Sequence, residues 1–140
     1  MPIWFYRVGL GGLLGKRFLL LNHTGRKSGQ LRQAVVEVAG FDPATNTYVV
    51  ASGFGPNSDW YRNVCATPQV TIQVGNRRMQ AESQPLSPAE SGAAMVEYAH
   101  RHPSAARGLA RILGYQVDGS DEGYQRVAEQ HIPFVAFRVG

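Results

Sequence analysis

Hydrophobic and polar positions alternate in short runs over the first part of the chain and fall at helical spacing in the later part. Lys16 to Thr24 is apolar and aromatic enough for a strand. Gly25-Arg26-Lys27-Ser28-Gly29 then has turn chemistry, and Leu31 to Gly40 alternates loosely as a second strand, which together predict a hairpin. Asp42 to Asn46 reads as another turn, and Thr47 to Ser52 is β-branched and aromatic enough to be a buried third strand. Gly53 to Ser58 is a loop that leads into a short helix from about Asp59 to Ala66, with Asn57, Ser58 and Asp59 as cap candidates and Pro68 as the stop. Gln69 to Val74, the Gly75-Asn76 turn and Arg77 to Ser83 predict a second hairpin with Val70, Ile72 and Val74 on one face.

After Pro85 the period changes. Ser87-Pro88-Ala89-Glu90 is a helix start with proline in its first turn. Ala93, Met95, Val96 and Ala99, and later Ala106, Leu109, Ile112 and Leu113, form apolar faces interrupted near Pro103. Ile132 to Val139 closes the chain as a strand. Strands that come in hairpins pair antiparallel, because parallel pairing needs a long crossover each time. The prediction is therefore an α+β fold: five or six mainly antiparallel strands closing a small barrel, with a helical insertion at 86–131 before the last strand.

The chain has 140 residues, 44% hydrophobic and 17% charged, which suits one domain spanning 1–140, with 1–15 as an N-terminal segment. A domain this long buries roughly two-thirds of its unfolded surface, so neither a disulfide nor a structural metal is required. The lone Cys65 excludes an internal disulfide and fits a reducing cytoplasm.

Charge sharpens the picture. The net charge is +4, and Met1 to Val36 carries Arg7, Lys16, Arg17, Arg26, Lys27 and Arg32 before the first carboxylate, Glu37. Arginine outnumbers lysine twelve to two, and its planar fork suits phosphate and carboxylate. Ile3, Trp4 and Phe5 make the start apolar, but Lys16 and Arg17 interrupt the run short of the roughly 20 residues a spanning helix needs. Trp4, Phe5 and Arg7 would suit a peripheral membrane contact.

Several motifs fail on inspection. Gly9-Leu-Gly-Gly-Leu-Leu-Gly15 is not a dinucleotide fingerprint, since Leu14 stands where the third glycine belongs and no strand precedes it. His23, His100, His102 and His131 form neither HExxH nor a His/Cys cluster, and no GxSxG elbow exists. Two stretches survive. Thr24-Gly-Arg-Lys-Ser-Gly-Gln-Leu-Arg32 is a glycine-bracketed turn with three cations beside hydroxyls and backbone N–H groups, suited to phosphate; spacing alone leaves an ordinary solvated turn equally open. Ser52 to Tyr61 carries glycines that admit a ligand near the backbone and runs into a helix N-terminus, with Trp60 and Tyr61 as aromatic area or as core. A ligand site without visible nucleophile or acid/base machinery fits a protein whose cofactor carries the chemistry.

Phe18 through Arg32, Tyr48-Val-Val-Ala-Ser-Gly-Phe-Gly55, Asp59-Trp-Tyr-Arg-Asn63 and Ala66-Thr-Pro68, in this order and spacing, resemble the deazaflavin-dependent nitroreductase family over about residues 3 to 83. The resemblance implies a split β-barrel related to FMN-binding flavoreductases, using reduced coenzyme F-420 to pass hydride to an electron-poor organic acceptor, with FMN as the alternative cofactor. It implies that Arg26, Lys27, Ser28, Gln30 and Arg32 hold the phosphate and acidic tail, and that Ser52, Gly53, Gly55, Asn57 and Trp60 line the deazaflavin. Gly53 departs from the lysine that many relatives carry there. The proton donor would be Tyr98, Tyr115, Tyr124 or water. The competing classes are an FMN-binding barrel and a non-catalytic carrier of the cofactor or an apolar ligand. A nucleic-acid binder is disfavoured, because aromatic and basic residues do not interleave along the strands. Related barrels often pair, so a homodimer is expected.

Overall fold

The computed structural model describes residues 18–52, 55, 57–112 and 114–140. Among these residues the strands are β1 (Phe18–Thr24), β2 (Leu31–Asp42), β3 (Thr47–Ala51), β4 (Gln69–Val74), β5 (Arg77–Pro85) and β6 (Phe134–Val139). Among the described residues the helices are α1 (Asp59–Ala66), between β3 and β4, and α2 (Pro88–Arg101), α3 (Pro103–Ile112) and α4 (Asp121–His131), between β5 and β6. The strands close an antiparallel barrel in the order β1-β2-β3-β6-β5-β4. Closure pairs β1 with β4, Leu21 facing Ile72, so no sheet edge is left open. The α+β expectation holds.

Leu19, Leu21, Val50, Ile72, Val135 and Phe137 point into the barrel and form one buried cluster. β1 is buried along nearly its whole length rather than at alternate positions. α1 packs against this strand and against β5, and its Val64 joins the barrel core. A second cluster lies outside the barrel, where Met95, Tyr98, Ala106, Tyr124, Ala128, Ile132 and Phe134 join Val49 and Ala51. The helical insertion thus roofs β3 and β6. Gly92 permits the close crossing of α2 over α4: a Cβ there would lie 2.8 Å from Gln125 Cγ and 3.1 Å from the Gln125 carbonyl oxygen.

Element boundaries shift modestly from the sequence expectation. β1 begins at Phe18, while Lys16 and Arg17 lie outside the described residues, as do the 1–15 segment and the membrane-contact candidates Trp4, Phe5 and Arg7. β2 runs two residues further, through an irregularity between Val38 and Gly40. The last strand starts at Phe134, because the Ile132 N–H still donates to Ala128 at the end of α4. The Ser87 capping box forms as expected, Ser87 Oγ accepting from the Glu90 N–H at 3.2 Å and Glu90 Oε1 from the Ser87 N–H at 2.9 Å. α4 was not singled out from the pattern; Ser120, whose hydroxyl accepts from the Gly123 N–H, is its N-cap. Among the described residues no helix is long and apolar enough to cross a membrane.

Candidate functional site

On the outer side of the barrel, away from the insertion, β1, β2 and α1 wall a cavity of about 1230 Å³, large enough for an elongated organic ligand. Its floor comes from β1 and β2 through Leu20, Asn22, Gln33 and Ala34, one wall from the turn Gly25–Ser28 and the other from Asp59, Trp60 and Asn63 of α1. Gln73 and Arg78 extend it onto the second hairpin. Among the described residues Arg26, Lys27, Arg32 and Arg78 line it against one carboxylate, Asp59, so its field favours an anion.

The turn is held by its own backbone. The Gly25 N–H donates to the Gln30 carbonyl and the Gly29 N–H to the Gly25 carbonyl, both at 2.8 Å. Gly29 has φ +70°, a conformation that suits glycine. Gly25 answers a space requirement instead, since a Cβ there would sit 2.7 Å from Ser28 Oγ. That hydroxyl accepts from the Gln30 N–H at 3.2 Å.

Asn63, almost fully buried in α1, ties the turn down. Its Oδ1 accepts from the Arg26 backbone N–H at 3.1 Å and from Arg26 Nη1 at 2.8 Å. Its Nδ2 lies 3.0 Å from His23 Nδ1 on β1. Arg26 Nη2 also reaches Asp59 Oδ1 at 3.4 Å. His23 is buried, and its pKa is lowered chiefly by that burial and then by the Arg32 charge, with Asp59 pulling the other way.

Of the residues the resemblance assigns to the cofactor, Arg26, Lys27, Ser28, Arg32 and Trp60 are brought together around this cavity. Gln30 closes the turn through its backbone. Ser52 has no exposed surface; its hydroxyl donates to the Gly55 carbonyl at 2.7 Å and pairs with Ser58 Oγ at 2.9 Å, so it braces the loop from behind. Gly55, at φ +85°, backs onto the His131 carbonyl, with 3.4 Å left for a Cβ. Asn57 is exposed in the turn before α1, and Gly53 lies outside the described residues.

The three tyrosines lie elsewhere. Tyr98 donates to Glu37 Oε1 at 2.7 Å, Tyr115 stacks on His131 with 4.5 Å between ring centroids, and Tyr124 is buried in the helical cluster. None of them lines the cavity. Sequence reasoning missed His23, Asn63, Gln73 and Arg78 as site residues. Asn63 stands in the Asp59-Trp-Tyr-Arg-Asn63 motif, but its partners are 37 and 40 residues away and carry no local signal. Among the described residues no group of histidine, cysteine and carboxylate side chains could hold a metal ion.

The family described as F420H(2)-dependent quinone reductase matches residues 5–108. The F420H(2)-dependent quinone reductase Rv1261c of Mycobacterium tuberculosis is 34% identical over 87 residues, 57% of this chain and 58% of the relative. Rv3178 of the same organism is 38% identical over 74 residues, 51% of this chain and 60% of that one. The chain thus spans somewhat over half the length of these curated relatives. A solved F420-H2-dependent reductase, FDR-A, superposes with TM-score 0.60 at 20% identity, over 89% of this chain and 96% of that chain. A pyridoxamine 5'-phosphate oxidase-related FMN-binding protein of Nostoc punctiforme gives TM-score 0.54 at 13% identity, over 99% and 81%. These structural likenesses bear out the split-barrel fold. With the family match covering β1 to β5, the cationic turn and α1, the chain belongs to the F420H(2)-dependent quinone reductase family.

Proposed function

We propose that this protein is a coenzyme F-420-dependent oxidoreductase that passes hydride from the reduced deazaflavin to an electron-poor organic acceptor, of the quinone class for which its relatives are named. The observation that carries the reading is the cavity beside α1 in which the 25–28 turn, β2 and β5 set four cationic side chains around one open volume. Arg26, Lys27, Arg32 and Arg78 would hold the phosphate and acidic tail by charge-assisted hydrogen bonds, and Trp60 offers an aromatic face for the ring system. The bound cofactor would supply the hydride. This chain would contribute position, desolvation and charge rather than a covalent step. Since Tyr98, Tyr115 and Tyr124 sit away from the cavity, the reading draws the proton for the reduced acceptor from water.

Titration of the purified protein with F-420 and, separately, with FMN, at two salt concentrations, tests it. Binding of F-420 alone, weakened by salt, together with quinone-dependent oxidation of the reduced cofactor, is the expected result. Binding of FMN alone would replace the cofactor, and F-420 binding without turnover on any acceptor would make the protein a carrier. A homodimer goes with this reading as a lesser proposal, supported by Leu31, 77% exposed beside the cavity; a monomeric mass in light scattering would remove it.

A further inference from the structure

Every polar atom of the Asn63 side-chain amide has an assigned job, and this fixes the chemistry of a buried group that no hydride transfer uses, His23. Oδ1 accepts two hydrogen bonds from Arg26, one from the backbone and one from the guanidinium, so the amide cannot turn round without setting its NH2 against two donors. Nδ2 therefore faces His23, and as a donor it requires Nδ1 of the imidazole to be the bare, accepting nitrogen.

We propose that His23 and Asn63 are positioning residues that preorganise Arg26 for its anionic ligand, and that they do so only while His23 is neutral. The inference rests on the cavity being the cofactor site. Three elements meet in the device: β1 supplies His23, α1 supplies Asn63 and the turn supplies Arg26. The Arg26 side chain is already 20% exposed and tethered before a ligand arrives, so less of its rotational freedom is lost on binding. A proton on His23 Nδ1 would oppose an N–H to the Asn63 NH2, and relieving that clash by an amide flip would release Arg26.

The charged groups facing His23 are Arg32 from β2, Asp59 from α1 and, through Asn63, Arg26; β4 carries no charged residue along Gln69–Val74. Burial and Arg32 keep the ring neutral near neutral pH, against the smaller pull of Asp59.

The test begins with the cofactor-free protein. Nitrogen-15 spectra of the histidine rings should show His23 with Nδ1 unprotonated and Nε2 protonated at pH 7.5; a protonated Nδ1 overturns the proposal. Asn63→Asp keeps an acceptor for Arg26 and exchanges the amide donor for a carboxylate oxygen, so the His23 titration should rise by about one unit or more, and an unmoved titration counts against it. Fluorescence titration with F-420 completes the set. Wild-type affinity should fall as the pH drops below 6.5, and this fall should move or vanish in Asn63→Asp.

Arg26→Ala and Asn63→Leu should each weaken binding about tenfold, with the double variant no weaker than Arg26→Ala alone. Additive losses would mean that Asn63 acts independently of Arg26 and sink the device with the site intact. If Asn63→Leu does not fold, the Asn63→Asp titration decides. Wild-type affinity in Arg26→Ala would instead sink the cavity assignment, whatever the ring spectra show.

Discussion

The two outer sides of the barrel are built from the same kind of strand and end in opposite states. On the β3–β6 side the insertion covers the sheet with apolar residues of α2, α3 and α4, and recesses of about 250 and 320 Å³ lie near it. On the β1–β2 side an eight-residue helix covers part of the sheet and leaves the large cationic cavity beside it. The difference teaches where each side obtains its order. The roofed side is held by close packing of side chains such as Phe134 and Met95. The open side is ordered by directional hydrogen bonds among Arg26, Asn63 and His23, which fix geometry while leaving charge accessible.

If this contrast is right, changes on the roofed side should cost stability with binding retained, and changes on the open side the reverse. The largest effect is expected from Phe134→Ala, which empties a site with no exposed surface: a loss of about 3–5 kcal/mol in chemical denaturation, with F-420 affinity kept wherever the protein is folded. Arg26→Ala combined with Lys27→Ala should weaken F-420 binding by roughly a hundredfold at low salt, with little change in the unfolding midpoint. Unchanged affinity would empty the cavity of its assigned role. Gly92→Ala should destabilise by about 1–2 kcal/mol, because a Cβ meets the backbone of α4 at 3.1 Å, and cofactor affinity should not respond.

The smallest effect concerns pH. The folded-state pKa of His23 lies below its ordinary value of 6.5, so its contribution to stability is whole above pH 6.5 and is lost as the pH falls toward the lowered value. The stability of wild type relative to His23→Leu should therefore decline in acid, measured by denaturation at several pH values. A difference that stays constant or grows there would show the ring to be charged inside the fold.

Much of the architecture was legible in the chain. The glycine-bracketed turn at 25–29, the proline-stopped helix at 59–66 and the Ser87 capping box are local devices whose residues are close in sequence, and each appears where its chemistry predicts. α4 was harder to read: its outer face is polar, with Glu122, Gln125, Arg126 and Glu129 exposed, and only Tyr124 and Ala128 are fully turned inward. Ser52 shows a different limit. The family resemblance assigns it to the deazaflavin lining, but side-chain direction depends on backbone angles, and those turn the hydroxyl toward Gly55 and Ser58.

The sequence by itself determined the alternation that makes strands, the period that makes helices, the hairpin connectivity and the crowding of cations around Arg26 and Lys27, because these follow from neighbours along the chain. Only the tertiary structure decided which polar residues share a cavity. Barrel closure puts β1 beside β4 and brings Arg78 of the second hairpin to the same opening as Arg26 of the first. Packing of α1 on β1 sets Asn63 between a turn 37 residues before it and a histidine 40 residues before it, and the insertion holds Tyr98, Tyr115 and Tyr124 away from the lining of the cavity. Such meetings are fixed by the burial of apolar surface over the whole barrel, a sum over many distant pairs that no local pattern encodes.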